Sequence, residues 1–167
     1  MKRNMVQTIC FAVLTLSIAA AALAEDRGIC SDSRVAGEWG YSGTGTLFLP
    51  PNDPAPVPFA IVGRWTLDAE GNVSGTQTSS LGGTTSEDML TGTATVNSDC
   101  TGTLTVGIYD KGALARMAVW ALVYVDGARE VRGILTSLVL PNGVSLPAVL
   151  TSNGKKLFRG LRQQDEQ

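Results

Sequence analysis

Apolar and polar positions alternate along most of this chain with a period of two. The clearest stretch is a near repeat, Thr91-Gly92-Thr93-Ala94-Thr95-Val96 and then Thr101-Gly102-Thr103-Leu104-Thr105-Val106. Every odd position is threonine, whereas the even positions run through Ala94, Val96, Leu104, Val106 and Ile108. Successive side chains of a strand face opposite ways, so this pattern predicts a threonine ladder toward water and an apolar ladder toward a core. Asn97-Ser98-Asp99-Cys100 between the halves is turn chemistry, and Cys100 shares the inward parity.

Segments 37–49, 59–67, 73–80, 114–125, 129–140 and 144–151 have the same character, rich in β-branched residues, glycine and threonine. Turn signals at Asp68-Ala69-Glu70-Gly71-Asn72, Asp126-Gly127 and Pro141-Asn142-Gly143 separate several of them. Together these segments predict an all-β protein, a single antiparallel barrel of about eight strands. The run from Met117 to Val125 is apolar on both parities and is the best helix candidate by length, but its β-branched and aromatic content and the Asp126-Gly127 stop favour a strand. Residues 50–58 hold five of the seven prolines and predict an extended surface excursion that cannot pair as a strand interior. Gly82-Gly83-Thr84-Thr85-Ser86 reads as a second flexible connection, and Asn153-Gly154-Lys155-Lys156 as a hairpin or terminal turn.

The N-terminus follows a different logic. Lys2 and Arg3 precede a predominantly apolar run, and Ala22-Leu23-Ala24 offers a small-residue cleavage site before Glu25 and Asp26. This is the pattern of a secretory signal, with an uncleaved anchor as the alternative. Cleavage after Ala24 makes residues 1–24 a signal peptide and 25–167 the barrel domain, and places the mature chain outside the cell or in a periplasm. Cys10 leaves with the signal, so Cys30 and Cys100 remain as an even pair in an exported chain. A disulfide between them would close a loop of about 70 residues and disfavour the unfolded state by about 4 kcal/mol. Two free thiols are the other possibility, since spacing does not show that the two backbones approach.

Composition then removes whole classes of chemistry. The 167 residues contain no histidine, which excludes Ser-His-Asp and Cys-His catalysis and histidine-based zinc chemistry within the chain. With 13 basic against 15 acidic side chains, none of them clustered, there is no footprint for nucleic acid. Gly43-Thr44-Gly45-Thr46-Leu47-Phe48 lacks the third glycine of a dinucleotide loop, and Asn153-Gly154-Lys155-Lys156 lacks the upstream glycine and Ser/Thr of a phosphate loop. The 68–72 turn is too short for a calcium loop, so no metal or cofactor is expected. Asn72-Val73-Ser74 is a glycosylation sequon, meaningful only in a host that glycosylates. An outer-membrane barrel needs aromatic girdles at both strand ends, which 6% aromatic residues do not supply, so no membrane insertion of the mature chain is expected.

Gly37-Glu38-Trp39, opening the first strand soon after the signal, resembles the entrance of the calycin barrels, the lipocalin and avidin group. That resemblance implies that Trp39 plugs one barrel end and that a basic side chain from the last strand, here Arg159 or Arg162, packs over it. The stretch from Asn97 to Thr103 is similar to a turn in small secreted bacterial barrels related to allene oxide cyclase and dirigent proteins, which implies architecture and no catalytic residue. The expected use is binding of a small, weakly polar or hydrophobic molecule inside the barrel, with Trp39, Tyr41, Arg64, Trp65, Trp120 and Tyr124 as candidate ligand-binding residues. The resemblance leaves a cofactor-free isomerase or cyclase as the alternative, with Glu38, Tyr41 and Arg64 as polar residues to test. A barrel filled by its own side chains, in a structural or protein-interaction role, is the third reading.

Overall fold

In the computed structural model, which describes residues 30–49 and 56–157, the chain forms one closed barrel of eight antiparallel strands. They are β1 (Gly37–Phe48), β2 (Pro56–Leu67), β3 (Asn72–Leu81), β4 (Thr84–Val96), β5 (Thr101–Asp110), β6 (Ala113–Val125), β7 (Glu130–Val139) and β8 (Ala148–Lys156). Each strand pairs with the next, and β1 pairs with β8 from Trp39↔Lys156 to Leu47↔Ala148, so no strand is left at an edge. A single helical turn, α1 (Asp32–Val35), precedes the barrel, capped by the Ser31 side chain, which accepts from the Arg34 amide. The predicted signal peptide lies outside the described residues.

The period-two reading holds where it was clearest. Thr91, Thr93 and Thr95 are exposed while Leu90 and Ala94 are buried, as the alternation of a half-buried strand requires. The run 117–125 is strand, paired on both sides by β5 and β7. Two bulges interrupt the alternation. Ile108 pairs with Arg116 but Tyr109 with Leu114, so Ala115 is an extra residue in β6. Val119 pairs with Ser137 but Trp120 with Leu135, so Thr136 is extra in β7, and its hydroxyl donates to the Val119 carbonyl.

Three expectations about connections are corrected. The proline-rich excursion is shorter than 50–58, because β2 begins at Pro56, with Pro56 and Pro58 paired to Phe48 and Thr46. The Pro58 carbonyl accepts from Gly82 on the β3 side, so the nitrogens of both prolines point that way, beyond the last β3 pair at Phe59↔Leu81. Their missing N–H groups therefore cost β1 nothing. Residues 82–86 are not a flexible connection: Gly82 and Gly83, at φ +57° and +91°, make a tight hairpin and Thr84 already pairs with Leu81. Residues 153–156 are not a turn but the end of β8, where Gly154 faces inward, buried beside Tyr41 and Val131.

One end of the barrel is closed. Cys30 and Cys100 form the disulfide, with Cα atoms 5.0 Å apart, tying the segment before α1 to the β4–β5 turn. That turn places Cys100 at φ +67°, and its carbonyl accepts from the Tyr124 amide. Val35 and Trp39 are fully buried beneath this staple, and the Trp39 indole N–H donates to the Val35 carbonyl at 3.0 Å.

Candidate ligand cavity

The inward side chains of the eight strands do not fill the barrel. They surround a cavity of about 730 Å³, within the range of small-molecule sites. It extends from Trp65 and Val73 near the closed end to Leu49, Leu81 and Leu140 at the opposite rim, and its walls are mostly aliphatic and aromatic.

Its floor is an aromatic stack. Trp39 and Trp65 are register partners on β1 and β2, their rings stacked at 5.4 Å between centroids and 11° between planes. Tyr124 meets Trp39 edge-on at 5.9 Å. On the far side the Lys156 ammonium lies 5.8 Å from the Trp39 ring centre and donates to the Arg34 carbonyl at 2.7 Å. Burial and the neighbouring Arg34 charge hold the Lys156 ammonium below its ordinary pKa. The cation over Trp39 is thus supplied by Lys156, at the end of the last strand, while Arg159 and Arg162 lie outside the described residues. The Tyr124 hydroxyl has no partner among the described residues, and burial together with Asp32 pushes its pKa up to about 12.

The wall carries one polar cluster. Asp88 on β4 is almost fully buried and receives four hydrogen bonds. Its Oδ2 accepts from Gln77 Nε2 at 2.9 Å, Ser79 Oγ at 3.0 Å and Arg116 Nη2 at 2.8 Å, and its Oδ1 accepts from Ser86 Oγ at 3.2 Å. Tyr41 extends the chain by donating to Gln77 Oε1 at 2.6 Å. Register builds this row: Tyr41, Gly63, Gln77 and Asp88 are successive partners across β1 to β4. Gly63 is the necessary gap, since a Cβ there would stand 2.8 Å from that of Gln77, and its bare backbone lets the phenol cross β2. The β6 bulge at Ala115 sits beside Arg116, whose guanidinium reaches over β5 to Asp88.

Electrostatics fixes the protonation of this cluster. Burial works against the Asp88 charge, but hydrogen bonds from Gln77, the Arg116 guanidinium, and Ser79 and Ser86 hold its carboxyl below the usual range. Burial, and then the Asp88 charge, raise the Tyr41 phenol above its ordinary value. At neutral pH the cluster therefore contains a carboxylate, a guanidinium and a neutral phenol.

The structure divides the six residues expected to meet a ligand. Tyr41, Trp65 and Trp120 line the cavity. Trp39 and Tyr124 pack below it, in and under the floor. Arg64 is on the outer face, exposed and 3.5 Å from Glu38, so two of the three polar residues singled out for isomerase chemistry lie outside the barrel. Sequence reasoning missed Gln77, Ser79, Asp88 and Arg116. The signal was present: Asp88 shares its parity with Leu90 and Ala94, and Arg116 with Ala118 and Trp120, so each is a charged residue on an apolar ladder. The 68–72 turn is closed by its own groups, Asp68 accepting from the Glu70 and Asn72 amides and the Asn72 side chain. No cluster of metal-ligating side chains occurs among the described residues.

No protein-family model matches the chain, and no curated protein matches it. The reading of function therefore rests on the cavity itself.

Proposed function

We propose that this protein is an exported binding module that holds one small, mostly apolar molecule inside its barrel. The observation that carries this reading is the cavity of about 730 Å³, walled by side chains such as Phe59, Ile61 and Leu135, with a single charged group among the described residues reaching it from the wall. Eight strands give a barrel whose interior either packs solid or holds one small ligand, and here the inward positions leave a void. The disulfide and the signal-like N-terminus support an oxidising location. Among the described residues no helix is long and apolar enough to cross a membrane. The outer face carries exposed threonines and the Glu38–Arg64 and Glu130–Arg132 pairs, which suit water, among exposed apolar side chains such as Val62, Met89 and Val149.

Binding is favoured over an isomerase or cyclase activity by the state of the polar cluster. Acid-base catalysis needs a group ready to exchange a proton near the working pH. Asp88 is held ionised with four donors on it, and the Tyr41 phenol is held protonated. Titration with decanol, followed by tryptophan fluorescence, tests the proposal, because Trp65 and Trp120 both face the cavity. A saturable change with one site per chain supports it. A fluorescence that changes no more than that of free tryptophan under the same additions of decanol would remove it.

A further inference from the structure

Arg116 is the one charged side chain among the described residues that line the cavity. A guanidinium has five N–H donors, and Asp88 engages Arg116 through Nη2 alone. No other hydrogen-bond partner of the Arg116 guanidinium occurs among the described residues, so donors remain for a bound molecule. The surrounding wall is apolar, apart from Tyr41, Gln77 and a few hydroxyl groups. Donors on a charged group, set in such a wall, form stronger hydrogen bonds than neutral donors do. The charge, however, is already balanced. Asp88 is fixed 2.8 Å away by three further donors and cannot swing aside without breaking them.

Taking the binding reading above as its basis, we infer that the cavity selects an uncharged molecule that presents a carbonyl-type oxygen to Arg116, and discriminates against the carboxylate of the same skeleton. A carboxylate would lose its hydration on entering the barrel and would lie on the far side of a guanidinium that already has its counter-ion, repelled by Asp88. A ketone or aldehyde oxygen loses far less hydration and still accepts from the unused N–H groups. Asp88 thereby acts as a positioning residue: it aims Arg116 and cancels its attraction for anions.

The test compares three probes of similar chain length at neutral pH, namely a methyl ketone, the matching carboxylate and an alkylbenzene without an acceptor, on the full mature chain. The inference predicts that the ketone binds about tenfold or more tightly than either of the others, the step expected of one charge-assisted hydrogen bond. In Asp88→Asn, which keeps the shape and removes the counter-ion, the ketone-to-carboxylate ratio falls by about tenfold. In Arg116→Met the ketone loses its advantage over the alkylbenzene. A wild-type protein that prefers the carboxylate, or binds all three alike, overturns the inference while leaving the binding module intact. Failure to bind any of the three overturns both. The wild-type comparison needs no variant, so poor folding of a substituted chain does not blunt it.

Discussion

Arg116 on β6 reaches across β5 to place its Nη2 2.8 Å from Oδ2 of Asp88 on β4, inside a barrel whose other inward positions are largely apolar. A buried carboxylate is tolerated only where donors replace its lost hydration, and here four do. Removing it by Asp88→Ala leaves Arg116 without its counter-ion and Gln77 Nε2 without an acceptor. The expected cost is ~3 kcal/mol, read as a lower midpoint in urea unfolding.

The same carboxylate makes stability depend on acid. Its pKa is lower in the folded chain than in the unfolded one, so its contribution is complete above the unfolded value of about 4 and disappears as pH falls through the folded value. Wild type should lose stability over that acid window more steeply than Asp88→Asn, when both are followed by thermal melts.

Tyr124 titrates with the opposite sign. Its folded pKa stands at about 12 against an ordinary 10.0, so the contribution is complete below pH 10.0 and is lost as pH rises toward 12. Its hydroxyl is buried without a partner among the described residues, and Tyr124→Phe keeps the ring against Trp39. That variant should be as stable as wild type or ~1 kcal/mol more stable at neutral pH. It should also be less sensitive to alkali, which alkaline unfolding curves will measure.

Trp39 holds the closed end through its stack on Trp65, its bond to Val35 and the Lys156 ammonium above it. Trp39→Ala should cost ~3–5 kcal/mol in denaturant unfolding, the range for truncating a core aromatic.

The disulfide should make Cys30 and Cys100 inert to alkylation until the protein is reduced, as intact mass will record. Reduction should lower stability by about 4 kcal/mol, the loop-entropy value for a closure of this length.

Much of the barrel was legible in the sequence because alternation is a local signal. The threonine ladder of β4 and β5, the Asp126-Gly127 turn and the pairing of Cys30 with Cys100 could be read from neighbouring residues or, with Cys10 assigned to the signal, from the even pair of cysteines left. Strand ends were less clear. Pro56 and Pro58 pair because their nitrogens face the side where β3 has ended, a fact of register rather than of composition. The polar cluster was obscured for a related reason. Tyr41, Gln77, Asp88 and Arg116 are dispersed along the chain, and only the row through Gly63 and the bulge beside Arg116 bring them together. The calycin resemblance points to Arg159 or Arg162 for the cation over Trp39, whereas the β1–β8 register sets Lys156, the last residue of β8, directly beside it.

Calorimetric titration of residues 25–167 with decanol at several temperatures tests the hollow barrel most directly. One molecule entering a mostly apolar cavity predicts saturation at one site per chain and a negative heat-capacity change, the mark of buried apolar surface. Heats that scale with added decanol without saturating, or no heat beyond dilution, would contradict a cavity that takes a ligand.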